Sequence, residues 1–240
     1  MEKIKFPTEV IELPSKGLIY PEDHPLRKGN IEVKYMTAKE EDILTNQNFI
    51  QKGTVLDKLL ESLVIDDIDL NDLFPGDKNA LFIGARILGY GSEYSFTHNG
   101  KDYTIDLSEF EHKEFNTSLI NSNGTFSFKL PKSETELEFK LLTDNDELKI
   151  EEEIKGLKKI NKNNSSEVTT RLKHHIVSLE GNQDKVEIRN FVDNYLLAQD
   201  ARALRSYIKE ISPNVNMFYT TEGGEEVEVP IGLSFFWPDI

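Results

Sequence analysis

The sequence predicts an α+β fold built from two related strand–helix–hairpin halves. Three observations lead there. Short segments alternate apolar and polar residues at the period of a strand. Longer segments place apolar residues at helical spacing. The two kinds of segment then recur in the same order along the chain.

Residues 1–30 carry Pro7, Pro14, Pro21 and Pro25 and little periodicity, and are expected to form an extended N-terminal arm. A first α+β repeat is expected over 31–120. Ile31-Glu32-Val33-Lys34-Tyr35 alternates and reads as a half-buried strand. Thr37-Ala38-Lys39-Glu40 has the spacing of a capping box, in which Thr and Glu exchange hydrogen bonds with each other's backbone, so a helix should run from Thr37 to Leu44. A second helix begins near Thr54, with Val55, Leu56, Leu59, Leu60, Leu63 and Val64 as its apolar face. Pro75-Gly76-Asp77 opens a third, carrying Leu81, Phe82, Ile83, Ile87 and Leu88. Tyr94 to Leu107 alternates on either side of Asn99-Gly100, whose residues tolerate the positive φ of a type I′ hairpin turn.

The second repeat is expected over 121–232. Thr125–Leu130 and Leu137–Leu141 alternate, and a charged helix follows from about Thr143. Lys158–Ser166 is polar and reads as a flexible insertion. Helices resume at Glu167–Leu179, Val186–Leu197 and Asp200–Ile211, the last stopped by Pro213. A final hairpin from Val215 to Val229 turns at Gly223-Gly224, and 233–240 form an aromatic tail. The halves align on particular residues. Thr37-Ala38-Lys39-Glu40-Glu41 corresponds to Thr143-Asp144-Asn145-Asp146-Glu147. The interval from Asp77 to Gly100 equals that from Asp200 to Gly223. Such a duplication would set the two hairpins side by side.

Composition excludes several function classes. There is no cysteine, which removes disulfides, thiol nucleophiles and Cys-bearing metal sites. The formal net charge is −15, from 28 basic and 43 acidic residues. That surface repels phosphate backbones and attracts basic protein partners, so no nucleic-acid partner is expected. No apolar run approaches the roughly 18 residues of a membrane span, so no membrane partner is expected either. Met1–Pro7 lacks the pattern of a secretory leader, which points to a cytoplasm.

Motifs for catalysis are sparse. His24, His98, His112, His174 and His175 include no pair at metal-ligating helical spacing, and neither HExxH nor GxSxG occurs. Gly89-Tyr90-Gly91-Ser92 resembles a phosphate loop but follows a helix instead of preceding one, so a glycine C-cap leading into the hairpin is the better reading. No catalytic residue, cofactor or metal is assigned. Phe235-Phe236-Trp237 are consecutive large aromatics. Two readings stay open, a latch folded onto the core or an exposed hook for a partner.

Several segments together resemble the T-even-like phage baseplate proteins that include hub subunits and hub-assembly chaperones. They are Leu13-Pro14-Ser15-Lys16-Gly17 with Tyr20-Pro21, Glu32–Leu44, and Tyr90-Gly91-Ser92-Glu93-Tyr94. In the second half come Leu130-Pro131-Lys132, Asp200 with Leu204-Arg205, and the closing Phe235-Phe236-Trp237-Pro238. The resemblance implies a tail baseplate hub assembly protein acting through protein–protein contacts, as hub component or chaperone. It would work in the host cytoplasm or in the virion tail, on other hub proteins that are basic or aggregation-prone. It points to Pro14, Ser15, Lys16, Gly17, Tyr20, Pro21, Phe235, Phe236, Trp237 and Pro238 as partner-binding residues. Relatives carry Cys-x-x-Cys knuckles of a zinc-ribbon type in the two hairpins. Here the corresponding turns, Phe96–Gly100 and Thr220–Gly224, have no thiols, which implies paired hairpins held without zinc. The alternatives are a metal- or nucleotide-dependent enzyme of unrecognised type, or an acidic protein-binding module.

Overall fold

Four small antiparallel sheets and eight α-helices make up the described residues, 7–160 and 166–236 of a computed structural model. The fold is mixed α+β, as the alternation of periods predicts.

The chain opens with β1 (Thr8–Glu12), paired antiparallel with β2 (Asn30–Lys34) in a register that puts Ile11 opposite Ile31. Residues 7–30 are therefore not an extended arm. Leu13, Ile19, Tyr20 and Leu26 are core residues, and the loop between the strands is folded onto the helices. The physical reason is that prolines set turns within a compact loop here, while buried leucines and a tyrosine supply the apolar surface that holds it.

Short helices follow: α1 (Ala38–Leu44), α2 (Gln47–Lys52) and α3 (Val55–Leu63). The capping box forms as its spacing predicts, with Thr37 accepting from the Lys39 amide and Glu40 returning to the Thr37 amide. Helix α4 (Pro75–Tyr90) starts with proline at its first position and ends at Gly91, φ 85°. Ala80, Leu81, Phe82, Ile83 and Ala85 bury most of its girth, so it is the central helix. Its Gly76 has no room for a Cβ, which would meet the Pro213 carbonyl oxygen at 1.9 Å. That contact ties the start of α4 to the second half of the chain.

The Asn99-Gly100 turn, both residues at positive φ, joins β3 (Glu93–His98) to β4 (Lys101–Asp106). The second half begins with β5 (Phe126–Lys129) and β6 (Glu136–Phe139), followed by α5 (Asp144–Ile160) and α6 (Glu167–His175). Within the expected insertion, Lys158 and Lys159 belong to α5, and residues 161–165 lie outside the described residues. The predicted helix Glu167–Leu179 stops at His175. Ile176–Leu179 is strand β7, paired with β6. The β-branched Ile176 and Val177 fit a sheet edge, and the buried His175 ring lies 2.8 Å from the Lys140 carbonyl at the switch point. Helices α7 (Lys185–Asn194) and α8 (Ala198–Ile211) lead to β8 (Phe218–Thr220) and β9 (Glu226–Glu228).

The two hairpins meet. Tyr103 of β4 stands edge-on to Tyr219 of β8 at 5.8 Å, and His98 near one tip lies 3.6 Å from Glu225 near the other. One core runs through both halves, from Leu13 to Phe236.

Candidate functional site

The family-like segment Leu13–Gly17 is built around a buried carboxylate. Asp77 is the third residue of α4 and fully buried. One of its oxygens accepts from the Ser15 amide at 2.9 Å. The other accepts from the Ser15 hydroxyl at 2.6 Å and from the Tyr20 hydroxyl at 2.7 Å. The Tyr20 oxygen in turn accepts from the Phe74 amide at 3.2 Å, just before the helix begins. A carboxylate in the first turn of a helix also complements its dipole. The loop closes as Arg27 donates to the carbonyls of Leu18, at 2.6 Å, and Tyr20, at 2.9 Å. Gly17 has φ 74°, and a Cβ there would meet the Arg27 carbonyl oxygen at 2.4 Å, so this turn accepts glycine alone without distortion.

A second buried aspartate grips a loop in a comparable way, through two amides. Asp200 is the third residue of α8 and fully buried. It accepts from the Lys132 amide at 2.8 Å and the Ser133 amide at 3.0 Å, in the loop that follows Leu130-Pro131. A second matched pair sits at the next helix starts. Lys34 donates to Glu40 at 2.8 Å, and Lys140 donates to Asp146 at 2.8 Å. In each case the carboxylate also accepts from the amide of the capping threonine, Thr37 or Thr143.

These environments push the carboxyl groups in opposite directions. Burial raises Asp77 above its ordinary value, outweighing the hydrogen bonds from Ser15 and Tyr20 and the charge of His112, which pull it down. Tyr20 is driven far above the usual tyrosine range by burial and by Asp77. Burial would raise Glu40 too, but hydrogen bonds from Lys34, Thr37 and Ser62 outweigh it and hold Glu40 down at about 2. Asp77, Ser15 and Tyr20 are buried and mutually satisfied, so their chemistry is that of an anchor.

Arg86 is the third junction. It donates to the carbonyls of Phe235 at 2.9 Å, Gly91 at 2.8 Å and Glu93 at 3.2 Å, and its guanidinium lies over the rings of Tyr90 and Tyr94. The Gly-Tyr-Gly segment is thus a helix C-cap entering a hairpin. Phe235 packs edge-on to Tyr94 at 4.9 Å and Phe236 edge-on to Phe82 at 6.1 Å; both are buried.

These placements correct the expected partner surface. Pro14, Ser15, Gly17, Tyr20, Phe235 and Phe236 are interior residues, consumed in holding the chain together. Lys16 and Pro21 are exposed, and Pro21 lines a groove of about 630 Å³ with Leu18, Arg27 and Ile120. Trp237 and Pro238 lie outside the described residues. Two residues carry more than their sequence pattern shows: Asp77 and Asp200, legible as matched helix starts, with Asp200 also in a family-like segment, but not as buried anchors. The available signal was a Leu-Pro dipeptide ahead of each, at Leu13 and Leu130.

Among the described residues, no three His, Asp or Glu side chains are grouped to hold a metal ion, and no helix is long and apolar enough to cross a membrane. No family model, no curated protein and no solved structure matches the chain.

Proposed function

We propose that the chain is a tail baseplate hub assembly protein of a T-even-like phage, working through protein–protein contacts and without catalysis. The observation that carries this reading is where the family-like residues fall. Leu13, Pro14, Ser15, Gly17, Tyr20, Tyr94, Leu130, Asp200 and Phe235-Phe236 are buried at junctions that tie helices to loops and hairpins, while Lys16, Pro131 and Lys132 are exposed beside them. Segments that resemble the family and sit at such junctions would mark a common scaffold. The acidic surface then serves basic hub partners.

The proposal includes an internal duplication. Each half runs from a strand pair closed by a Leu-Pro loop, through a Lys–Thr–acid helix start, to a helix whose third residue is an aspartate gripping that loop, and then to a hairpin. The first half accordingly begins at β1. On this proposal the two hairpins would correspond to the cysteine-bearing knuckles that the resemblance implies, with the Tyr103–Tyr219 contact in place of shared metal ligation.

Mass spectrometry of purified virions, together with affinity capture of the tagged chain from infected cells, tests the function. A hub component is expected at fixed copy number in virions. A chaperone is expected to be missing from virions but bound to a hub protein in cells. Absence from both would refute the reading.

A further inference from the structure

Among the described residues, no strand pairs with the outer edge of β3, which runs beside a groove. Backbone groups of a strand alternate in direction. The Leu107 amide donates to the Ser92 carbonyl across the hairpin at 2.8 Å, so Ser92, Tyr94 and Phe96 point inward and Glu93, Ser95 and Thr97 point out. Arg86 takes the outward Glu93 carbonyl. The outward amides and carbonyls of Ser95 and Thr97 have no backbone partner among the described residues. A groove of about 980 Å³ lies here. Four consecutive residues of β3, Tyr94 to Thr97, line it, as an edge does. From β4 only the alternate Asp102 and Thr104 do, as a face does. Ile50, Pro230 and Leu233 add an apolar wall to its lining.

The face beside that edge is acidic. Register places Glu93 opposite Asp106, Ser95 opposite Thr104 and Thr97 opposite Asp102, all on one side of the hairpin. Three exposed carboxylates and three hydroxyl residues therefore share this face. Lys101 pairs with His98 on the other.

We infer that the outer edge of β3 at Ser95 and Thr97 receives an extended, lysine- or arginine-bearing segment of a partner protein as an added strand. Main-chain hydrogen bonds to Ser95 and Thr97 give the affinity. Alternate side chains of the incoming strand meet the carboxylate face and the apolar wall, which gives the preference for alternating basic and apolar residues. The inference rests on the protein-binding reading for its biological partner, while the edge and its charge stand independently.

The test uses the full chain and a short dye-labelled peptide of alternating lysine and valine, with a glutamate–valine peptide as comparison. Binding of the lysine peptide is expected, weakening with salt, together with amide exchange slowed at least about tenfold at Ser95 and Thr97. Ser95→Pro removes an outward amide and keeps the ladder's backbone bonds, losing only the Ser95–Thr104 hydroxyl contact at 2.9 Å, and should weaken binding about tenfold; Ser95→Ala, which loses the same hydroxyl contact and keeps the amide, should bind as the wild type does. Asp102→Lys should weaken it similarly with the fold intact. Equal binding of both peptides, or protection elsewhere with Ser95 and Thr97 unchanged, overturns the inference. Deleting residues 237–240 should leave affinity within about twofold; a rise of about tenfold or more would assign the groove to the chain's own end and overturn it as well. Failure here with hub-protein capture from cells retained would sink the strand-addition site and leave the assembly role standing.

Discussion

At the scale of single residues, the carboxylates decide what the sequence motifs mean. Asp77 satisfies three donors that are otherwise sealed from water. Asp77→Ala should cost about 3–5 kcal/mol, because it orphans the Ser15 amide and two hydroxyls at once. Asp200→Ala orphans two amides and should cost less, about 1–3 kcal/mol. Urea unfolding of both variants checks the order, and a reversal would deny the first anchor its greater weight. Glu40 gives a pH signature. Its folded value of about 2 lies below its ordinary 4.5, so the unfolded chain binds the proton more tightly. The stability it contributes is complete above about pH 4.5 and is lost as pH falls toward about 2. Glu40→Gln should flatten that slope in acid titrations followed by circular dichroism, leaving the part owed to Asp66, Asp146 and Asp200, which are also held low. These roles were barely legible beforehand. The Thr37–Glu40 capping box is local and could be read from spacing. Asp77's donors lie 62 and 57 residues away, and no local pattern reports a contact across that distance.

At the scale of elements, what could be read was what the chain settles locally. Pro75-Gly76-Asp77 starts α4, Asn99-Gly100 turns a hairpin and Pro213 follows α8. Strand β1 escaped because Thr8–Glu12 is short and its partner lies beyond a long loop. Strand β7 escaped because Leu172, His175 and Ile176 continue a helical apolar spacing into residues that pair with β6. The tail Leu233–Phe236 is a latch: Phe235 and Phe236 sit against Tyr94 and Phe82 under the Arg86 clamp. Phe235→Ala should cost about 3–5 kcal/mol in equilibrium unfolding. Truncation after Gly232 should destabilise the chain by at least as much. A truncated chain that unfolds at the wild-type denaturant midpoint would show that the tail contributes nothing to folding.

At the scale of the whole molecule, anchors, helices and hairpins combine into one core under a surface of net charge −15. On the proposed function, that charge would recruit basic partners over a distance before short-range contacts hold them. Its association with a hub protein should therefore slow markedly between low and physiological salt, with a smaller effect on dissociation; stopped-flow measurement of both rates checks this. The proposed function has the chain build a phage baseplate hub by binding its components. The most direct measurement is deletion of its gene from the encoding phage genome, followed by electron microscopy of the particles and complementation by the wild-type chain. The account predicts filled heads without attached tails and incomplete baseplates lacking their hub, restored by the wild-type chain and not by a folding-defective Asp77→Ala chain. Normal tailed, infectious particles from the deletion would contradict it.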